Sequence, residues 1–196
     1  MGGGYPSTAL HRSLHLSRFV PHLLSLISYP SSFLPATMQD RVIYEAASEE
    51  DTAGLGAALA SLLPDGTVVA LCGTLGAGKT RLVQAVAEAC GIDRRVVTSP
   101  TFVLVQEYHG RRAIFHFDAY RLRSDEEFLE LGPEEYFQAA GLVLVEWADR
   151  VRGLLPNERI EIRIDVTGDT SRRFEVVAEG ERYRGVVSRL ADRLQK

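Results

Sequence analysis

Residues 73–80 constrain the fold of this chain more than any other segment. Their sequence, GTLGAGKT, fits the phosphate-binding pattern G-x-x-x-x-G-K-[ST] at every defined position. A short apolar run rich in β-branched residues precedes the segment at 67–72, and an amphipathic stretch follows it at 81–90. A strand, a glycine-rich loop and a helix in this order form the context that the pattern requires. The segment therefore predicts a phosphate-binding loop between a buried strand and a helix.

The glycines of this loop let the backbone approach a phosphate closely, because they carry no side chain. Inward-facing amides and the positive end of the following helix both favour bound phosphate. We therefore expect Lys79 to reach the β- and γ-phosphates of a nucleotide, and the Thr80 hydroxyl to ligate Mg²⁺. The nucleotide contacts are expected from the loop and the start of the helix: Gly76, Ala77, Gly78, Lys79, Thr80 and Arg81. The alternative is a glycine-rich turn that happens to precede Lys-Thr.

The composition is that of a globular protein with one main domain. The chain has 196 residues, of which 45% are hydrophobic and 24% are charged. Its net charge of −4 argues against a protein that grips nucleic acid by itself, so a partner would hold any RNA. Cys72 and Cys90 lack a metal-type spacing and are expected to be buried, reduced thiols, which favours a cytoplasmic protein.

Residues 1–37 differ from the rest because they contain no Asp or Glu and are rich in Ser, Pro, Leu and His. Their most apolar part, 19–34, is too short and too interrupted by Pro and His to span a membrane. Three interpretations compete: a leader upstream of Met38 as the true start, a transit peptide to an organelle, and a secretory signal. We favour the first, with residues 1–37 lacking stable structure and residues 38–196 forming one domain.

Strands and helices alternate along the rest of the chain. Strands are predicted at 42–45, 67–72, 95–97, 102–108, 113–118, 142–147, 160–166 and 174–178. Helices are predicted from the Ser48 cap to the turn at 64–66, and at 81–90, 125–131, 134–140 and 183–194. The segment 142–147 has the apolar run of a central parallel strand, and 160–166 alternates as an edge or half-exposed strand would. This order predicts an α/β fold, namely a three-layer P-loop NTPase with a mostly parallel central sheet.

Two acidic residues stand where predicted apolar strands end. Such a fold needs a carboxylate there to hold Mg²⁺ directly or through water. Asp118 follows one strand and Glu146 follows another, so both are candidates for the catalytic set together with Lys79. The alternative is a structural role, as a cap or as a salt bridge with Arg121 or Arg150.

Two further features allow both a functional and a structural interpretation. Trp147, the single tryptophan, could pack in the core or lie against the nucleotide. The polar segment 98–101 could be a switch that orders with γ-phosphate and Mg²⁺, or an ordinary Ser-Pro turn.

Several motifs occur in an order and spacing that resemble one known family. They are the loop at 73–80, Ser-Pro-Thr-Phe at 99–102, His-Phe-Asp-Ala-Tyr-Arg-Leu at 116–122, Glu-Leu-Gly at 130–132 and Leu-Val-Glu-Trp at 144–147. Together they resemble the bacterial tRNA threonylcarbamoyladenosine biosynthesis ATPases, the TsaE (YjeE) family, over about residues 42–180. The loop is generic, whereas the motifs that contain Asp118 and Glu146 are much more specific.

The resemblance implies an ATPase of low intrinsic rate that uses ATP and Mg²⁺. It would support the complex that forms N6-threonylcarbamoyladenosine at position 37 of tRNA. The implied partners are the threonylcarbamoyl transferase and its paralogous scaffold protein, with tRNA contacted only indirectly.

The resemblance also implies roles for individual residues. Lys79 and Thr80 would bind phosphate and Mg²⁺, Glu146 would be the Mg²⁺ ligand, and Asp118 would be a catalytic or Mg²⁺-linked carboxylate. The switch would be 99–101. Outside the loop, the positions that would approach the nucleotide are Thr52, near the adenine, and Arg172 or Arg173. The chain departs from the family at Thr74, commonly an acid, and at Ala148, commonly a proline.

Other functions are open to a chain with this loop. A small-molecule P-loop kinase would need an arginine-bearing lid, which we do not find in the sequence. A GTP-dependent switch protein would carry an Asn-Lys-x-Asp segment, which is absent. A non-catalytic, nucleotide-dependent adaptor is the third alternative.

Overall fold

The computed structural model describes residues 40–195, so the expectations for residues 1–37 and Met38 lie outside the described part. The strands are β1 (Arg41–Ala46), β2 (Thr67–Gly73), β3 (Val105–His109), β4 (Ala113–Asp118), β5 (Leu142–Glu146), β6 (Arg159–Val166) and β7 (Arg172–Glu179). The helices are α1 (Glu49–Leu62), α2 (Lys79–Ala89), α3 (Asp125–Leu129), α4 (Pro133–Gln138) and α5 (Arg184–Leu194). Most of these elements agree with the predicted ones to within two or three residues.

The seven strands form one sheet in the order β1-β7-β6-β2-β5-β4-β3. The four strands β6, β2, β5 and β4 are parallel to one another. The pairs β1–β7, β6–β7 and β3–β4 are antiparallel. The prediction of a mostly parallel sheet therefore holds only for these four strands, and the whole sheet is mixed. The reason is that two hairpins, β3–β4 and β6–β7, extend the sheet on both sides, and hairpins pair antiparallel.

Apolar side chains cover the sheet on both faces, as a layered α/β fold requires. On one face α1, α2 and α5 pack over Leu71, Ile114 and Leu144. On the other face α3 and the segment after β5 pack over Phe117 and Val145. The strand β4 thus alternates between two buried faces, with Ile114 and His116 on the first and Phe115 and Phe117 on the second.

The ends of the two helices before and after the loop are set by local chemistry. Ser48 caps α1 in a capping box, because its hydroxyl accepts from the Asp51 amide at 3.1 Å and its own amide donates to Asp51 Oδ2 at 2.9 Å. Helix α2 ends before Gly91, whose φ of +84° is left-handed. Both ends were predicted from the sequence and are confirmed.

Two predicted strands differ in the structure. Residues 94–96 form a 3-10 helix instead of a strand at 95–97, because the Asp93 carboxylate accepts from the Arg95 amide at 3.0 Å and starts a turn. The strand predicted from 102 begins only at Val105. Before it the chain turns, with the Leu104 amide donating to the Pro100 carbonyl at 2.6 Å and Leu104 at a φ of +67°.

The strand β6 is interior, which contradicts the prediction of an edge strand at 160–166, whereas its second half is half-exposed as predicted, with Arg163, Asp165 and Val166 exposed. It lies between β2 and β7. The alternating pattern was misleading because the acidic residue Glu161 is buried rather than solvated. Its carboxylate is paired with three arginines: Arg152 at 2.7 Å, Arg163 at 3.0 Å and Arg159 at 3.4 Å.

The two cysteines are buried and free, as predicted. Burial raises the pKa of both thiols. Within residues 40–195, no helix combines the length and the apolar character needed to cross a bilayer.

Close packing of α1 on α2 makes one glycine of α1 necessary. A Cβ at Gly56 would lie 2.4 Å from Ala85 Cβ and 2.8 Å from the Ala85 carbonyl carbon, whereas a Cβ at Gly54 would meet nothing within 4 Å. We expect Gly56→Ala to lower the free energy of unfolding by about 1–3 kcal/mol, because the helices must move apart. Gly54→Ala, in the same helix, should raise it by about 0.5–1 kcal/mol. Urea unfolding of both variants measures the difference, and equal effects would contradict the packing argument.

Candidate functional site

A cleft lies at the carboxyl ends of the parallel strands. There β2 ends at Gly73, β4 at Asp118 and β5 at Glu146, and Asp118 is the register partner of Glu146. The cleft has a volume of about 400 Å³, a size typical of small-molecule sites. Eight of the predicted site residues line it: Gly76, Gly78, Lys79, Thr80, Arg81, Asp118, Glu146 and Trp147.

The loop between β2 and α2 has a backbone that requires glycine. Gly73, Gly76 and Gly78 have φ angles of +152°, +78° and +105°. A Cβ at Gly73 would lie only 2.6 Å from the Ile164 carbonyl oxygen. The loop therefore passes close to β6 and leads directly into the start of α2, where phosphate is favoured.

Lys79 is buried inside the loop, with 4% of its surface exposed. Its ammonium donates to the carbonyls of Gly73 at 2.7 Å and Thr74 at 3.0 Å, and it lies 3.7 Å from the centre of the Trp147 ring. Burial lowers the pKa of Lys79, while the nearby Glu146 and Asp118 carboxylates oppose that shift. The cation is thus held between backbone dipoles and an aromatic face.

Glu146 is linked to the loop through the Thr80 hydroxyl, which donates to Glu146 Oε1 at 2.7 Å. The same oxygen lies 2.8 Å from His116 Nε2. A hydroxyl and a carboxylate are hard oxygen donors that suit Mg²⁺. Within the described residues, no three His, Cys, Asp or Glu side chains cluster to form a metal cage. This donor set fits Mg²⁺, which usually takes one or two protein oxygens together with phosphates and waters.

Asp118 is 2% exposed and holds the segment 98–101 against the sheet edge. Asp118 Oδ2 accepts from the Ser99 hydroxyl at 2.6 Å and the Thr101 hydroxyl at 2.7 Å. Asp118 Oδ1 accepts from the Tyr120 amide at 2.9 Å. The segment therefore contacts a candidate catalytic carboxylate directly.

The salt bridges considered as alternatives for the two acids do not form. Arg121 stacks on Phe102, with 4.1 Å from its guanidinium carbon to the ring centre. Arg150 donates to the Leu122 carbonyl at 2.8 Å. Both carboxylates instead contact hydroxyl groups, so neither is neutralised by an arginine within residues 40–195.

A second cavity adjoins the cleft and shares Gly78 and Arg81 with it. Thr52 and Arg172 line this cavity. The Thr52 hydroxyl donates to the Ser48 carbonyl at 3.3 Å. Because the two cavities meet at the loop, a ligand in the cleft could extend into the second cavity beside Thr52.

Arg172 braces the loop from the side. Its Nε donates to the Ala77 carbonyl at 2.9 Å, and its Nη1 donates to the Gly168 and Ser171 carbonyls at 3.0 and 2.8 Å. Ala77 is fully buried and contributes its carbonyl to this contact. Arg173, the other candidate, instead pairs with Glu45 at 3.5 Å. Arg81 donates to Glu49 at 3.1 Å at the rim of the second cavity.

Comparison with known proteins identifies the family. A sequence model of the family described as "Threonylcarbamoyl adenosine biosynthesis protein TsaE" matches residues 46–174. The chain belongs to the TsaE family. A relative from Treponema pallidum (strain Nichols), named tRNA threonylcarbamoyladenosine biosynthesis protein TsaE, is 41% identical over 129 residues, which are 66% of this chain and 95% of the relative.

A second relative and a solved structure agree with this assignment. The protein of the same name from Bacillus subtilis (strain 168) is 41% identical over 135 residues, which are 68% of this chain and 84% of the relative. The crystal structure of YdiB from Bacillus subtilis is similar with a TM-score of 0.67 and 34% identity, covering 78% of this chain and 95% of that one. The seven-stranded mixed sheet is thus an architecture shared with a solved protein.

Two residues of this TsaE-family site had no predicted role. His116 contacts Glu146, and Tyr120 stacks on Trp147 with 4.8 Å between ring centres. A histidine two positions before Asp118 in an otherwise apolar strand was the available clue to the first. For the second, the signal was its place in the motif at 116–122, but the motif did not show that Tyr120 meets Trp147, which has a left-handed backbone with φ +57°.

The hydroxyl contacts of Asp118 allow a matched test. We expect Thr101→Val to speed hydrogen exchange at the Leu104 amide by about tenfold or more, because a hydrogen bond to a charged group contributes about 1.5–3 kcal/mol. Thr98→Val is the control, since the Thr98 side chain is exposed and makes no hydrogen bond within the described residues. Equal exchange in the two variants would show that Asp118 does not hold the segment.

Proposed function

We propose that this chain is a Mg²⁺-dependent ATPase that supports formation of N6-threonylcarbamoyladenosine at position 37 of tRNA. The observation that carries the proposal is the 2.7 Å contact between the Thr80 hydroxyl of the loop and the strand-end carboxylate of Glu146. A P-loop enzyme uses such a hydroxyl and such a carboxylate together at its metal. The names of the family and of the relatives from Treponema pallidum and Bacillus subtilis support the pathway.

The loop and α2 would bind the triphosphate. The loop leads from β2 directly into α2, and the amides of such a loop and the positive end of its helix would stabilise phosphate oxygens. Lys79 would exchange its contacts with the Gly73 and Thr74 carbonyls for phosphate oxygens, since its ammonium is already beside the loop. Its fixed charge would then stabilise the charge that develops on the transferred phosphoryl group.

Thr80 and Glu146 would hold Mg²⁺. When bound, the metal neutralises charge on the β- and γ-phosphates. The protein's contribution is to keep the two oxygen ligands at the sheet edge, where β5 ends beside the start of α2.

Asp118 would orient the attacking water. In the structure its oxygens accept from Ser99 and Thr101, so the carboxylate is engaged with the segment 98–101. A shift of this segment on nucleotide binding would free one carboxylate oxygen for a water in the cleft. Hydrolysis would thereby depend on the state of the segment, which suits an ATPase of low intrinsic rate.

The partners we propose are the threonylcarbamoyl transferase and its paralogous scaffold protein. The net charge of −4 is unfavourable for binding a polyanion, so tRNA would be held by the partner complex. The chain would couple ATP hydrolysis to turnover of that complex.

Variants of the loop and of the strand-end acid test the ATPase. We expect Lys79→Ala to lower the rate of ATP hydrolysis by about 100-fold or more, because it removes a preorganised charge at the phosphate. Glu146→Gln should lose hydrolysis to a similar extent while ATP still binds, which the fluorescence of the single tryptophan, Trp147, can report. Arg95→Ala is the control, since Arg95 is exposed and its side chain pairs with Asp93 alone among residues 40–195. Transfer of the phosphoryl group to an added hydroxyl compound instead of water would indicate a kinase.

A second experiment tests the partner. Adding the transferase–scaffold complex to the wild type should raise the ATPase rate by about tenfold or more, because partners that complete a P-loop site typically accelerate it strongly. The same addition to Lys79→Ala should restore no activity. An unchanged wild-type rate would contradict the proposed coupling.

A further inference from the structure

His116 is a buried polar residue that contacts the candidate site and that the proposed mechanism does not use. It lies on β4, two positions before Asp118 and on the same face of the sheet. Its surface is 0% exposed, so its side chain is shielded from the cleft. Its Nε2 lies 2.8 Å from Glu146 Oε1, in a contact that is buried from solvent.

The contacts of the ring indicate which nitrogen carries the proton. His116 Nδ1 is buried and has no hydrogen-bond partner within the described residues. In a neutral ring with its proton on Nδ1, that buried N–H would have no acceptor. The Nε2 lone pair would then face the carboxylate oxygen of Glu146, and two acceptors would be in contact. A neutral ring with its proton on Nε2 avoids both problems and donates to Glu146. The unpaired atom is then an acceptor, the less costly group to leave alone.

The position of this donor matters because Glu146 Oε1 has two donors. One is the Thr80 hydroxyl at 2.7 Å, and the other is His116 Nε2. Thr80 is itself an expected metal ligand, so its contact with Glu146 changes when metal binds. His116 comes from a buried strand and has no other polar contact within the described residues, so we expect its contact to persist when metal binds.

We propose that His116 is a positioning residue, whose Nε2–H holds the Glu146 carboxylate in place for Mg²⁺. This inference rests on the proposed ATPase function. Some residues do not bind a metal themselves but hydrogen-bond to one of its ligands. The loss of such a residue typically lowers metal affinity or activity by 10- to 100-fold. A purely structural histidine could be replaced by an apolar ring of similar size without such an effect.

Nuclear magnetic resonance of the wild-type chain tests the geometry without any metal. The ¹⁵N shifts of the His116 ring should show a proton on Nε2 and an unprotonated Nδ1 in the nucleotide-free protein. A proton on Nδ1 with bare Nε2 would overturn the proposal, because the ring could not donate to Glu146. This measurement is valid whether or not the protein hydrolyses ATP.

Three variants separate positioning from packing. His116→Phe keeps the ring volume but removes the donor, and His116→Gln keeps an N–H donor at about the reach of Nε2. Ile114→Val trims the same face of β4, where Ile114 is also fully buried, and removes no polar contact. The readouts are Mg²⁺ titration of fluorescent ADP binding, ADP affinity in EDTA, and the Mg²⁺ dependence of ATP hydrolysis.

We expect His116→Phe to raise the Mg²⁺ concentration for half-maximal ADP binding by about 10-fold or more, with ADP affinity in EDTA unchanged. His116→Gln and Ile114→Val should stay within about threefold of wild type.

If His116→Phe does not fold, a His116→Gln variant with wild-type Mg²⁺ dependence supports the proposal, and one with weakened Mg²⁺ dependence overturns it. Equal loss in His116→Phe and Ile114→Val would also overturn it. A wild type without Mg²⁺-dependent hydrolysis would instead refute the proposed function. The Mg²⁺ titration of ADP binding would still test whether His116 positions Glu146.

Discussion

The parallel register of β4 and β5 is the constraint on which the site depends. It makes Asp118 the partner of Glu146 at the sheet edge, beside the loop that follows β2. Because paired residues of neighbouring strands point to the same face, both carboxylates lie on the side that α2 covers. A slip of either strand by one residue would turn the acid of that strand to the opposite face, away from the loop.

Local chemistry made part of the fold predictable. The glycine loop, the Ser48 cap and the Gly91 helix end depend on neighbours in sequence, and all three appear where they were expected. Long-range pairing was not predictable in the same way. The alternation in β6 resembled an edge strand because a single sequence does not show that β6 lies between β2 and β7, or that Glu161 is buried against Arg152 and its strand neighbours Arg159 and Arg163. The mixed sheet followed from hairpins whose position in the strand order depends on distant contacts.

The candidate site shows the same division. Motif and strand-end position indicated Lys79, Thr80, Asp118 and Glu146, and the structure brings them into one cleft. Their partners were less accessible to sequence reasoning. The hydroxyl pair on Asp118 depends on the turn before β3, and the histidine behind Glu146 depends on β4 and β5 being adjacent. Spacing along the chain indicates the candidate functional groups, whereas the groups that contact them depend on which strands are neighbours in the sheet.

The close contact of α1 with α2 has a consequence for ligand size. Gly56 touches Ala85, and Thr52 lies one turn earlier on the same face of α1, lining the second cavity opposite Gly78. The separation of the two helices is thus set by a missing methyl group in the core. That separation also affects the width of the second cavity beside Thr52. A glycine in the packed core therefore determines how thick a group the second cavity can admit.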